Sequence, residues 1–201
     1  MHWQTVDEHR LQAALLDSPL DALPFIEEGV ATDQLTASAV LFPVLKRKNG
    51  LSALFTKRAD HLKDHPGQIS FPGGRMEPED ISASAAALRE AYEEIGLPEQ
   101  QVKIIGYLPD YGTITGYRIT PVLGLVSLPF EPQSDPAEVD EVFEAPLDFI
   151  LNPTNQKRHY VERSDKRRSF YAISYQDYFI WGATAGIIVS LTQRLALLAE
   201  N

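Results

Sequence analysis

Ser82-Ala-Ser-Ala-Ala-Ala-Leu-Arg-Glu-Ala-Tyr-Glu-Glu-Ile-Gly96 is the stretch on which the fold turns. Its apolar positions Ala87, Leu88, Ala91 and Ile95 recur at helical spacing and form one face. They predict a helix over 82–95, closed by Gly96, which takes a left-handed backbone at little cost. Glu90, Glu93 and Glu94 stand at i, i+3 and i+4, so their carboxylates crowd one side. Like charges at those spacings repel by about 0.2–0.5 kcal/mol per pair. The C-terminal end of a helix dipole disfavours each anion by a further ~0.3–1 kcal/mol. Two readings stay open: a solvated acidic face, or a site whose divalent cation reverses both penalties. With oxygen donors alone, that cation is Mg²⁺ or Mn²⁺. Arg89 can pair with a glutamate and orient it. Upstream, Gly73 and Gly74 allow backbone N–H groups to approach a phosphate.

Outward from this helix, strands come first. Ala37 to Leu45 reads as a buried strand, Lys46-Arg-Lys-Asn-Gly50 as a hairpin turn, and Leu51 to Thr56 as the returning strand. Asp60 to Gly74 is loop-like. Beyond the helix, strands are expected near Val102–Leu108, Ile119–Val126, Arg158–Val161 and Ser169–Ile173, with one or two helical turns over Pro146–Leu151. Ile180 to Ala199 reads as a last helix packed on the core, because Gln193 and Arg194 inside it oppose membrane insertion. Residues 1–35 form an N-terminal accessory segment with a short helix near Glu8–Leu16, and residues 36–201 form the main domain. Strands on both sides of a central helix, with a second helix at the end, predict an α/β (α+β) fold with a mixed sheet between helices.

Composition narrows the function classes. The chain has 201 residues, enough to bury a real core, and no cysteine, so disulfides and thiolate metal sites are excluded. The net charge of −10 argues against a nucleic-acid partner. Basic residues nevertheless gather in two places: Lys57, Arg58, Lys63 and Arg75, then Lys157, Arg158, Arg163, Lys166, Arg167 and Arg168. Local positive patches on an acidic protein suit a small polyanion, or are solvated turns. The polar start lacks a secretory h-region, which predicts a cytoplasmic protein without stable membrane insertion. The apolar N-terminal segment packs within the chain or against a second copy, which leaves a homodimer open.

Gly74 to Leu97 resembles the Nudix box, whose second half is complete here as Arg89-Glu90-Ala91-Tyr92-Glu93-Glu94-Ile95-Gly96-Leu97. The first half departs from the general pattern. Gly74 stands one residue further from Arg89, and the cluster Glu77, Glu79, Asp80 replaces a single glutamate, with Glu77 and Asp80 as the candidates for that position. The preceding run, Leu54-Phe-Thr-Lys-Arg-Ala-Asp-His-Leu-Lys-Asp-His-Pro-Gly-Gln-Ile-Ser-Phe-Pro-Gly-Gly74, is similar to the signature of the coenzyme A pyrophosphatase branch, which has the longer spacing. Glu138-Val139, Val142 to Leu147 and Ile180 to Ala185 extend the resemblance to about residues 37–195.

The resemblance implies a Nudix α/β/α fold and a hydrolase that cuts the diphosphate of coenzyme A or its derivatives into 3′,5′-ADP and 4′-phosphopantetheine. It implies Glu90 and Glu94 as metal ligands, with Glu93 a ligand or neighbour, holding Mg²⁺ or Mn²⁺. Glu93, Glu138 and Arg89 are the catalytic candidates, the base being Glu93 or Glu138. Lys57, Arg58, His65, Gly67, Gln68, Gly73 and Gly74 are the substrate-binding candidates, and Lys157–Arg168 is a second candidate for the 3′-phosphate. The alternatives are a Nudix diphosphatase for another nucleotide such as ADP-ribose, and a non-catalytic nucleotide sensor.

Overall fold

The computed structural model describes residues 6–20, 23–27, 30, 34–63, 65–163 and 166–199, and at 163, 166 and 167 only the backbone. In chain order the elements are α1 Glu8–Ala13, β1 Phe25–Ile26, β2 Thr36–Arg47, β3 Gly50–Arg58, β4 Ile69–Ser70, β5 Gly73–Arg75, α2 Ala83–Ile95, β6 Val102–Tyr107, β7 Tyr111–Gly112, β8 Tyr117–Val126, β9 Val139–Pro146, α3 Leu147–Ile150, β10 Gln156–Arg163, β11 Lys166–Tyr175, β12 Tyr178–Trp181 and α4 Ala183–Ala199.

The central strand is β2. It runs parallel to β8 and antiparallel to β3 and β5, which makes the main sheet mixed. Alternate side chains of β2 fill two different cores. Ala39, Leu41 and Leu45 pack under α2 with Leu54, Ala87, Ala91 and Ile95. Phe42 and Val44 pack on the other face with Phe55, Phe71, Ile187, Ile188 and Leu191 of the α4 side. A strand buried on both faces reads as a continuous apolar run, as 37–45 does. A second sheet, β10-β11-β12, is antiparallel and lays Ile173 and Ile180 into the α4-side core. Val6 and Leu11 belong to that same core, and Leu16 bridges Tyr107. Among the described residues, no helix is long and apolar enough to cross a membrane.

The α2 expectation holds in detail. Ser82 caps the helix by accepting from the Ala85 N–H, and Gly96 ends it at φ 67°. Several boundaries move. The first helix stops at Ala13 because Leu16 exchanges both backbone bonds with Tyr107 instead of continuing the spiral. The 60–74 loop contains β4 and the start of β5, which glycine and proline conceal from a propensity reading. The last helix starts at Ala183 rather than Ile180, because Ile180 and Trp181 pair with Ile173 and Ala172 in β12. β9 carries no expected strand. Two adjacent exposed acids, Asp140 and Glu141, interrupt its alternation, and β9 bulges at Asp140, the extra residue opposite the Lys57–Arg58 step of β3.

Candidate active site

The site forms where β5 passes under α2. Gly74 pairs with Ala39, and a Cβ at Gly74 would lie 2.4 Å from Glu90 Oε1. The Glu90 carboxylate thus rests on bare backbone. Gly73 has φ +155°, and a Cβ there would meet the Ala39 carbonyl oxygen at 2.4 Å. Its N–H donates to Glu94. These two glycines bring main chain against two carboxylates, which no larger residue permits.

Glu94 is 4% exposed, and its Oε2 has no hydrogen-bond partner. Burial pushes its carboxyl up to about 8; the negative charges of Glu90 and Glu138 add to this, while Arg58 and the Gly73 N–H oppose it. Burial also raises the half-buried Glu90, against the pull of Arg89, with Glu93 and Glu138 adding their repulsion. Buried like charges with an orphaned oxygen are costly. Glu138 reaches this place through a loop tied to the end of α2, where the Gln133 N–H donates to the Ile95 carbonyl and the Asp135 N–H to the Glu94 carbonyl.

Arg89 organises the other side. Its guanidinium donates to Asp80 Oδ1 at 3.2 Å and Oδ2 at 3.0 Å, to Glu90 Oε1 at 3.0 Å, to Glu93 Oε2 at 2.9 Å and to the Arg75 carbonyl at 3.1 Å. The hydrogen bond from Arg89 holds the Asp80 carboxyl below its usual range. Asp80 also accepts from the Glu77 N–H, while Ile81 beside it is 95% exposed. Of the two acids open at this position, Asp80 is the one that faces the helix.

The candidates from sequence fall into three groups. Glu90, Glu94, Glu138, Arg58, Arg89, Gly73 and Gly74 come together. Glu93, with its side chain 53% exposed, turns to Arg89 and stands apart from Glu94. Lys57 and Gly67 line a cleft of about 480 Å³ with Glu141 and Trp181. His65 and Gln68 line a cavity of about 180 Å³ with Ser70, Thr113 and Thr184. The Lys157–Arg168 segment lies partly outside the described residues. One contact had no sequence signal: Arg75 donates to the Tyr117 hydroxyl at 2.7 Å, joining β5 to β8 at the rim of that smaller cavity.

Among the described residues, no three carboxylate, imidazole or thiol groups close into a ready metal cage. Uncompensated carboxylates repel, and here Arg89 draws Glu93 and one oxygen of Glu90 aside. Glu94 and Glu90 still offer hard oxygen donors, one of them buried and partnerless, which is the donor chemistry of a divalent cation.

Comparison with known proteins points to one family. A family model described as the NUDIX domain matches residues 35–163. A protein named Uncharacterized Nudix hydrolase NudL from Enterobacter sp. (strain 638) is 38% identical over 185 residues, covering 90% of this chain and 95% of its own. One of the same name from Escherichia coli (strain K12 / DH10B) is 41% identical over 163 residues, covering 80% of this chain and 83% of its own. The crystal structure of a Nudix hydrolase from M. Smegmatis, RenU, is 21% identical with a TM-score of 0.49, covering 62% of this chain and 79% of that chain.

Proposed function

This chain belongs to the Nudix family, and on that premise we propose that it is a divalent-metal-dependent hydrolase of the diphosphate in coenzyme A or its derivatives. Hydrolysis of a phosphoanhydride is the general chemistry of the family. The observation that carries the metal-dependent part is the buried, partnerless Oε2 of Glu94, set beside Glu90 over Gly74. The choice of coenzyme A rests on the Leu54–Gly74 run and its one-residue-longer approach to Arg89.

In this reading Glu90 and Glu94 hold Mg²⁺ or Mn²⁺, and Glu93 stays with Arg89 as a neighbour. The cation, when bound, draws charge from phosphate oxygens and lowers the pKa of a bound water. Arg89 is a positioning residue: it fixes Glu90 and Glu93 against Asp80. Glu138 is the favoured base, because its charge already acts on both Glu90 and Glu94. Its carboxylate takes the proton from the attacking water, leaving two phosphate monoesters, 3′,5′-ADP and 4′-phosphopantetheine. Arg58 presents positive charge from the end of β3. Lys57 and Gly67, and His65 and Gln68, line flanking spaces through which the arms of the substrate would lead away from the diphosphate.

A substrate panel tests this. The protein is incubated with Mg²⁺ or Mn²⁺ and coenzyme A, dephospho-coenzyme A, ADP-ribose and nucleoside triphosphates, and products are identified by mass. Coenzyme A is expected to give 3′,5′-ADP and 4′-phosphopantetheine. Cleavage of ADP-ribose with coenzyme A left intact would reassign the substrate, and saturable binding without turnover of any compound would make the protein a sensor.

A further inference from the structure

The second sheet has an outward face whose aromatic side chains His159, Phe170 and Trp181 belong to neither of the two cores. Register puts His159 beside Phe170, Ala172 beside Trp181 and Val161 beside Arg168. On that face His159 stacks on Phe170 with centroids 5.5 Å apart, and Phe170 meets Trp181 edge-on at 5.7 Å. The opposite face, carrying Ile173 and Ile180, is the one that closes the core. Trp181 remains 38% exposed although it meets a second ring.

One end of this aromatic face is roofed. The turn after β7 brings Ile114 over it, and the Ile114 N–H donates to Glu27 Oε2 at 2.8 Å. The result is a cavity of about 230 Å³ lined by Glu27, Ile114, Val161, Arg168, Phe170 and Trp181. That is below the ~300–1,000 Å³ of a site for a drug-sized ligand and suits a single bicyclic ring system. Arg168 acts electrostatically on Glu27, so a cation and a carboxylate share the crevice. Aromatic walls hold a flat π-system. A carboxylate accepts from an exocyclic amine of a base. A guanidinium matches the oxygens of a phosphate. The cavity adjoins the one lined by His65 and Gln68, since Thr113 and Thr115 face that space while Ile114 between them faces this one.

We propose that this crevice binds the nucleoside end of the substrate, an adenine carrying its own phosphate. Phe170 and Trp181 flank the base, Glu27 accepts from its amine, and Arg168 meets the ribose phosphate that lies outside the scissile diphosphate. The assignment rests on the proposed function, because coenzyme A is a substrate with such a phosphate.

Trp3 and Trp181 are the two tryptophans of the chain, so a Trp3→Phe background leaves Trp181 as the fluorescent reporter. Adenosine 3′,5′-bisphosphate and 5′-AMP are titrated without metal. Saturable quenching by both is expected. Arg168→Ala should weaken the bisphosphate about 10-fold and leave 5′-AMP within about 2-fold, as loss of one charge-assisted phosphate contact predicts. Glu27→Gln should erase a preference for 5′-AMP over 5′-IMP. With coenzyme A and Mg²⁺, Trp181→Ala should raise KM about 10-fold at unchanged kcat, and Trp181→Phe should largely restore it. If Trp181→Ala does not fold, the Arg168→Ala titration decides alone. Absence of quenching, or equal losses for both nucleotides in Arg168→Ala, overturns the site. Coenzyme A hydrolysis without quenching rejects the site and leaves the proposed function standing; quenching without hydrolysis does the reverse.

Discussion

Two helices cover the two faces of the main sheet, and among the described residues each buries one polar atom without a partner: Glu94 Oε2 in α2 and Ser190 Oγ in α4. The two atoms differ in what their burial costs. A hydroxyl left unpaired costs about 1–3 kcal/mol, and an isolated carboxylate far more, so a carboxylate shifts its protonation instead. The raised pKa of Glu94 is that response. The surroundings differ too. α4 buries an unbroken run from Thr184 to Thr192, and its threonines donate to backbone carbonyls. α2 buries alanines, Ile95 and one acid, with Glu90 and Glu138 acting on that acid. One orphan is a tolerated packing defect in a stabilising helix. The other is a carboxylate held in place against its own electrostatics, as the proposed metal site requires.

The comparison is open to direct attack. Glu94→Gln should lose about 10³-fold or more in kcat, on the scale of removing a group that acts on developing charge, while keeping its metal-free Tm. Mg²⁺ should raise the Tm of the parent, as a ligand bound only by the folded state does, and leave Glu94→Gln unchanged. Activity surviving in Glu94→Gln would make α2 no more functional than α4. Leu191→Ala, in the fully buried stretch of α4, should do the converse. It should cost about 2–5 kcal/mol in denaturant unfolding with kcat per folded molecule preserved. Gly74→Ala should fall between them. Its new Cβ displaces the flexible end of Glu90 rather than backbone, so kcat should drop roughly 10- to 100-fold, the range of a perturbed ligand position, with little change in Tm.

How much of this contrast was legible in the sequence follows from the range of the interactions. The helix over 82–95, its Gly96 stop and the crowding of Glu90, Glu93 and Glu94 are local, and three-and-four spacing reveals them. Which glutamate is buried is not local. Glu93 and Glu94 are neighbours in sequence, yet one turns to Arg89 and the other faces β5, because β5 runs beneath only one side of the helix. β5 itself hides in Pro72-Gly73-Gly74, where strand propensity is poor and only pairing with β2 makes a strand. The approach of Glu138 depends on backbone bonds between the 133–135 loop and the end of α2, which no motif in that loop announces. Glu77 and Asp80 are likewise equivalent in sequence, and it is the fold that pairs Asp80 with Arg89.

Asp80 also gives a pH test, smaller in effect and confined to the α2 side. The folded-state pKa of Asp80 lies below its usual value, with the Arg89 hydrogen bond as the main cause. A depressed carboxylate contributes stability above its unfolded pKa and loses it as pH falls through the folded value. Thermal melts between about pH 5 and pH 2 should therefore show a shallower acid slope in Asp80→Asn than in the parent. Identical slopes would mean that Arg89 holds Glu90 and Glu93 without help from Asp80.

The smallest expected effect belongs to the other orphan. Ser190→Ala removes a buried hydroxyl that has no partner and leaves a side chain of nearly the same volume, in a helix position that favours alanine. Stability should be unchanged or rise by up to about 1 kcal/mol, since a desolvation penalty disappears and no bond is lost. Turnover and the Mg²⁺-induced Tm shift should both match the parent. If Ser190→Ala instead cost stability, the hydroxyl would be bonded in solution, as to a buried water, and the likeness between the two helices would fail. If it cost turnover, the functional asymmetry between α2 and α4 would be wrong, because a residue on the α4 side, away from every carboxylate of the site, would then be taking part in the chemistry.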